Sequence, residues 1–176
     1  MLPLITPRLN LRLLDDQDAP FILELVNDPD WLRFIGDRGI TSLDAARDFI
    51  HQGPLTLYKK HGFCMLRVGL KDSDQAVGLC GLMQRDNLPH PDLGFAFLPA
   101  GRGAGLATEA AQAVVNQADE EGRPELMAFC QPDNQGSINL LKRLGFVFIG
   151  DYRQKPDEQV LHLYRRERPQ PARKQE

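Results

Sequence analysis

Three glycines and an arginine in the stretch Gly101-Arg102-Gly103-Ala104-Gly105-Leu106-Ala107 are the residues best spaced to do chemistry. The stretch joins a predicted strand end to a predicted helix start, where unpaired backbone N–H groups and the positive end of the helix dipole point outward together. Glycine lets the backbone close on a ligand without a side chain intervening, so a phosphate or diphosphate is the natural guest. A tight turn that merely needs positive φ is the alternative. Two familiar phosphate loops do not fit. A P-loop requires Lys-Ser/Thr after its last glycine, and Gly105 is followed by Leu106-Ala107. The dinucleotide fingerprint GxGxxG places Leu106 or Thr108 where its third glycine should stand.

Other reactive side chains are poorly placed for familiar chemistries. Cys64, Cys80 and Cys130 are odd in number and lack metal-ligand or CxxC spacing, which argues against a disulfide framework or a zinc site and fits a reducing cytoplasm. Cys130 could act as a covalent nucleophile, but no histidine lies near it in sequence, and burial is the commoner fate of a cysteine. His51, His61, His90 and His162 show no ligand spacing. No metal is expected.

The elements that must hold the glycine turn are legible from periodicity. Leu9, Leu11 and Leu13 alternate with polar residues as in a half-buried strand. Asp15, Asp16 and Asp18 introduce a helix whose Phe21, Ile22, Leu25 and Val26 share one face, ended by Asn27-Asp28-Pro29. A second helix is predicted from Ser42 to about Gln52, with Leu43, Ala46, Phe49 and Ile50 inward and Gly53-Pro54 as its stop. Strands follow at 63–70, 76–84 and 93–98, reading as an antiparallel meander. The strongest helix, 104–121, repeats Leu106/Ala107, Ala110/Ala111, Val114/Val115 and Ala118 on one small apolar face. A strand at 125–130, a helix from about Asn134 through Leu144 and a hairpin of 146–152 with 160–164 complete the order.

A length of 176 residues suits one domain, and 42% hydrophobic with 26% charged residues argue against disorder and against a disulfide-built miniprotein. Residues 165–176 carry five basic and two acidic side chains, leaving a body of net charge −6 under a total of −3. That weakens the case for a domain gripping nucleic acid and favours cationic amines or basic peptides as visitors. The N-terminus lacks a basic leader, and no apolar run approaches the ~18 residues of a membrane span. A cytoplasmic protein is expected.

Arg102, Gly105 and Ala107 also satisfy the pattern (Gln/Arg)-x-x-Gly-x-(Gly/Ala), and here the chain resembles the GNAT superfamily of N-acetyltransferases at its acetyl-CoA diphosphate loop. The likeness extends through TPRLNLRLL at 6–14, DLGFAFLPAGRGAGLATEAAQAV at 92–114 and PDNQGSINLLKRLGF at 132–146. These occur in the order and spacing of the branch that includes ribosomal-protein N-terminal alanine acetyltransferases. The resemblance implies an α/β fold of α+β type in three layers. Its mostly antiparallel twisted sheet would have about six to seven strands, splayed at the acetyl-CoA site and flanked by about four helices. The domain would span residues 1–165, with 166–176 as a basic, mobile tail.

Residue roles follow from the same resemblance. Backbone N–H groups from Arg102 through Gly103, Ala104, Gly105, Leu106 and Ala107 to Thr108 would hold the diphosphate of acetyl-CoA, with the Arg102 side chain either adding charge or covering the loop. The free backbone edge at Phe97 and Leu98 would pair with pantetheine. Asn134 and Ser137 match positions beside the pantetheine arm and the thioester sulfur, although both are also common helix caps. Many relatives carry a tyrosine four residues beyond that serine to protonate the departing thiolate. This chain has Leu141 there, which leaves Ser137 as the substitute donor, or as a group that only hydrogen-bonds the sulfur.

Asp92 stands where relatives often carry Glu and is the candidate to remove a proton from the amine, through water. A carboxylate of ordinary pKa, ~3.9, is a weak base unless burial raises it, so a loop carboxylate or strand-end cap is the competing reading. Glu109 matches a recurrent Thr-Glu-Ala sequence but sits where the helix dipole alone would favour it. Trp31 and Phe34 fall in the region that lines the acceptor site. The implied reaction moves acetyl from acetyl-CoA to a primary amine, including a peptide or protein N-terminus, by direct attack in a ternary complex. A non-catalytic acyl-CoA-binding or sensing protein is the alternative. No membrane or nucleic-acid partner is expected, and exposed strands leave a homodimer open.

Overall fold

The computed structural model describes residues 2–171. Eight strands, β1 (Leu4–Ile5), β2 (Leu9–Arg12), β3 (Met65–Leu70), β4 (Ala76–Met83), β5 (Asp92–Phe97), β6 (Glu125–Cys130), β7 (Val147–Tyr152) and β8 (Leu161–Glu167), form one sheet in the order β1-β2-β3-β4-β5-β6-β8-β7. Every neighbouring pair is antiparallel except β5 with β6. The leucine alternation has the predicted effect: Leu9 and Leu11 are fully buried while Asn10 and Arg12 between them are not. The sheet exceeds the expected six to seven strands through β1, a two-residue strand that pairs Leu4 with Leu11.

Six α-helices cover the two faces: α1 (Ala19–Val26), α2 (Pro29–Phe34), α3 (Leu43–Ile50), α4 (Thr56–His61), α5 (Leu106–Glu120) and α6 (Gln135–Arg143). α5 and α6 pack with Leu9, Leu11, Val68, Leu82, Leu93 and Phe97 in one core; α1 to α3 pack with Leu79 and Leu98 in a second. The small face of α5, Ala110, Ala111, Val115 and Ala118, is almost wholly buried, which lets the helix lie close on the sheet. No helix among the described residues is long and apolar enough to cross a membrane.

Three expectations are corrected. Asn27-Asp28-Pro29 ends α1 but also starts α2: Asp28 caps it by accepting from the Asp30 N–H at 3.1 Å, with proline in its first turn. Gly53-Pro54 does not stop the next helix. The missing proline N–H is accommodated in a wide π turn over His51–Leu55, where the Thr56 hydroxyl donates to the His51 carbonyl at 2.7 Å, and helix resumes as α4. Leu43 on this helix is exposed instead of inward.

The boundary expected after residue 165 also moves, because β8 continues through Glu167. Arg166 is buried, donating to the Leu144 carbonyl at 3.0 Å and to both Asp119 oxygens at 2.9 and 2.8 Å. A bidentate pair of this kind fixes the strand end to α5. Residues 172–176 of the expected tail lie outside the described residues.

Candidate active site

The turn after β5 takes the left-handed backbone its glycines allow, with φ of +82° at Gly103 and +76° at Gly105. Gly101 is required for space instead: a Cβ there would lie 2.9 Å from the Val77 Cβ and 3.1 Å from the Phe97 ring. Gly105 directly precedes α5, and the Glu109 N–H is the first to bond within that helix, donating to the Gly105 carbonyl at 3.1 Å. The amides of Leu106, Ala107 and Thr108 therefore have no helical acceptor. Those of Gly103, Ala104 and Gly105 also have none among the described residues. Six consecutive donors at a helix start make an anion cradle.

Nearby carboxylate charge is tied back. Glu109 accepts from the Thr6 hydroxyl at 2.9 Å and from Arg8 through its backbone N–H at 3.3 Å and its Nε at 3.1 Å. The Arg8 guanidinium continues to the Ala104 carbonyl at 2.8 Å, so the start of β2 braces the turn. Glu109 is thus more than a dipole-favoured residue, and its role is mechanical.

Arg102 turns away from the cradle. Its N–H donates to the Pro99 carbonyl at 3.1 Å, its Nε to the Phe97 carbonyl at 2.9 Å and its Nη2 to Asp28 at 2.7 Å, while Nη1 pairs with Asp30 at 2.9 Å. Neither its amide nor its charge is left for a phosphate, so the donor run starts at Gly103. The arginine fastens the turn to the N-terminus of α2.

β5 and β6 part immediately after they meet. Their sole paired position is Asp92 with Met127, supported by the Met127 N–H donating to the Pro91 carbonyl at 2.9 Å. Beyond that apex the strands diverge and expose one backbone edge of β5. The Leu98 N–H donates to the Val77 carbonyl at 2.9 Å, so strand alternation turns the Phe95 and Phe97 edges toward the gap and the Leu98 amide away from it. Of the two residues expected to offer backbone, Phe97 turns its N–H to the gap while Arg102 holds its carbonyl, and Leu98 offers none. Both side chains are core.

A cavity of about 1050 Å³ joins these parts, lined at the turn by Gly103 and by Gly105 to Thr108, and beyond the splay by Cys130, Asn134, Ser137 and Leu141. The Asn134 Oδ1 accepts from the Ser137 N–H at 3.3 Å and caps α6, while the Ser137 hydroxyl has no hydrogen-bond partner among the described residues. Leu141 is fully buried and supplies no proton. Burial pushes the Cys130 thiol up to about 11, and the sheet brings His162 opposite it in register. That imidazole packs at a tilt against Phe148 with centroids 4.7 Å apart and makes no hydrogen bond to the thiol. Nothing activates the cysteine.

At the apex, Asp92 is 2% exposed and lies against Arg85, whose Nε is 3.2 Å from both carboxylate oxygens. Burial raises the Asp92 pKa above the ordinary carboxylate value and Arg85 opposes the rise. The Arg85 guanidinium rests on the Phe129 ring at 4.7 Å, which holds it flat across the cavity wall. Trp31 and Phe34 line the same cavity from α2. Arg8, Asp28, Asp30 and Arg85 went unrecognised in the sequence. The opposite charges flanking the 85–92 loop between two predicted strands were the one available signal, for Arg85.

The chain is similar to known proteins over most of its length. The family model described as an acetyltransferase (GNAT) domain matches residues 8–147. An uncharacterised N-acetyltransferase, p20 of Bacillus licheniformis, is 27% identical over 169 residues, 92% of each chain. An acetyltransferase of Agrobacterium tumefaciens has the same fold, with a TM-score of 0.78, 24% identity and 94% of both chains covered. So does RimL, a ribosomal L7/L12 α-N-protein acetyltransferase solved with coenzyme A in disulfide linkage to one of its cysteines. It gives a TM-score of 0.78 at 21% identity, covering 93% of this chain and 96% of that one.

Proposed function

The chain belongs to the GNAT family and is an acetyl-CoA-dependent N-acetyltransferase; on that premise we propose that it acetylates a primary amine at a peptide or protein N-terminus. The observation that carries the reading is the run of unpartnered amides from Gly103 to Thr108, opening into a cavity that passes through the β5–β6 splay. The donors fit a diphosphate, and the Phe97 N–H, with the edge at Phe95, fits the amides of a pantetheine arm. When bound, acetyl-CoA supplies the activated acyl group and a thiolate leaving group. The N-terminal acceptor is the analogue of what RimL is named for.

The chain's own residues then have separable tasks. Asn134 caps α6 and holds the Ser137 amide, which leaves the Ser137 hydroxyl as the donor available to the leaving sulfur. Asp92, raised by burial, takes the proton from the attacking amine, with Arg85 fixing its orientation. Trp31 and Phe34 exclude water on the acceptor side. Direct attack needs only this positioning, and the protonated Cys130 takes no part.

Acetyl-CoA titration tests the cofactor half. At ~100 times its dissociation constant, linkage predicts about 2.7 kcal/mol of stabilisation, read as a rise in melting temperature. Free-thiol release with short peptides, but not with their N-blocked counterparts, tests the acceptor half. Release with small polyamines alone would remove the N-terminal reading.

A further inference from the structure

Arg38 stands on the segment between α2 and α3 and lines the cavity together with Arg85, Asp86, Asp92, Gln154 and Gln159. It is solvent-accessible, yet no carboxylate among the described residues reaches ion-pair distance of it, and it makes no hydrogen bond within the chain. Partial burial and the nearby Arg85 charge lower its pKa, and Glu158 opposes the shift. Arg85 itself gives only Nε to Asp92. Its outer nitrogens face neutral groups, the Gln154 Oε1 at 3.5 Å and the Met83 sulfur at 3.4 Å. Asp86 is on the same rim but exposed, where water screens it. Two guanidinium groups therefore share one end of the cavity with a single buried carboxylate that is already engaged. Two cations beside one engaged carboxylate make a ready site for an anion.

We propose that the acceptor carries an acidic side chain one or two residues from its reactive N-terminus, and that Arg38 and the outer edge of Arg85 receive it. The inference rests on the N-terminal acceptor reading above. Arg85 abuts Asp92 and Arg38 lines the same cavity, so an amine delivered to Asp92 has its second and third residues, each ~3.4 Å further along an extended chain, within reach of the Arg85 guanidinium on the wall that Arg38 shares. Arginine suits the task because its planar fork pairs with a carboxylate through two parallel bonds.

Three tripeptide amides, Ala-Asp-Phe, Ala-Asn-Phe and Ala-Lys-Phe, test this with acetyl-CoA and free-thiol release. The aspartyl peptide is expected to exceed the asparaginyl one by about 10- to 100-fold in kcat/KM, mainly through KM, with the lysyl peptide lowest. Arg38→Gln should erase that preference and Arg38→Glu should turn it toward the lysyl peptide. Equal use of the aspartyl and asparaginyl peptides, or a preference that survives Arg38→Gln, overturns the proposal. Calorimetric binding of the same peptides to the CoA-saturated protein reads the discrimination without turnover. A protein that discriminates but releases no thiol would lose the direct-attack reading and keep this one; a protein that acetylates all three alike would do the reverse.

Discussion

Arg102 Nη2 lies 2.7 Å from Asp28 Oδ2, and this pair fastens the glycine turn to the cap of α2. Asp28 is buried while the arginine keeps part of its exposure, so the pair sits between the surface and core limits of ion-pair energetics. Arg102→Ala and Asp28→Ala should each cost about 1–2 kcal/mol in denaturant unfolding, with a coupling of about 1 kcal/mol in the double-mutant cycle. Because the same guanidinium holds the Phe97 carbonyl, Arg102→Ala should also weaken acetyl-CoA several-fold in a melting titration. Additive losses would mean that the turn holds its shape alone.

Gly105 is the sharper test of the cradle. Its φ of +76° would cost an alanine about 1–2 kcal/mol, although a Cβ there meets nothing nearer than the Arg8 guanidinium at 3.7 Å. Relaxing that strain rotates the first free amides of α5. Gly105→Ala should therefore lose most of the acetyl-CoA stabilisation while the unliganded protein still unfolds cooperatively. Full retention of the ligand shift would move the anion site elsewhere.

What could be read in the sequence was what depends on neighbours. The cradle is a strand-to-helix turn whose donors follow from local backbone, and Leu9, Leu11 and the α5 face follow from period alone. Arg102 was assigned to the cradle because its carboxylate partners are remote: Asp28 is 74 residues away, and only the folded chain shows where the guanidinium goes. The Gly53-Pro54 stop failed because a π turn absorbs the proline, a solution stabilised by tertiary packing of Ile50 and Pro54. Arg166 was read as tail because a basic run gives no hint of Asp119 across the fold. The splay was legible only through the family resemblance, since the divergence of β5 and β6 beyond Asp92 belongs to neither strand's own pattern.

Asn134 and Ser137 separate structure from chemistry on one helix turn. Asn134→Ala removes the α6 cap and should cost about 1 kcal/mol in stability. Ser137→Ala leaves the cap intact, because only its backbone N–H meets Asn134. Its expected effect is a loss of about tenfold or more in kcat with acetyl-CoA binding retained, read by thiol release beside a melting titration. An unchanged kcat in Ser137→Ala would leave the thiolate to be protonated by solvent.

Asp92 links stability, rate and pH with definite signs. Burial raises its folded-state pKa above the unfolded value of ~3.9, and Arg85 only partly opposes this. Between those two values the folded protein holds the proton more firmly than the unfolded chain does. Stability contributed by Asp92 therefore falls as pH rises through that window and returns as pH drops. Catalysis runs the other way, because the base must be ionised: kcat/KM should climb with pH through the same raised pKa. Asp92→Asn should remove that limb together with most of the rate. Arg85→Gln should shift the limb to higher pH by withdrawing the charge that restrains it. A limb that stays in place in Arg85→Gln, with an Asp92→Asn enzyme of ordinary rate, would reduce the carboxylate to a strand-end ion pair.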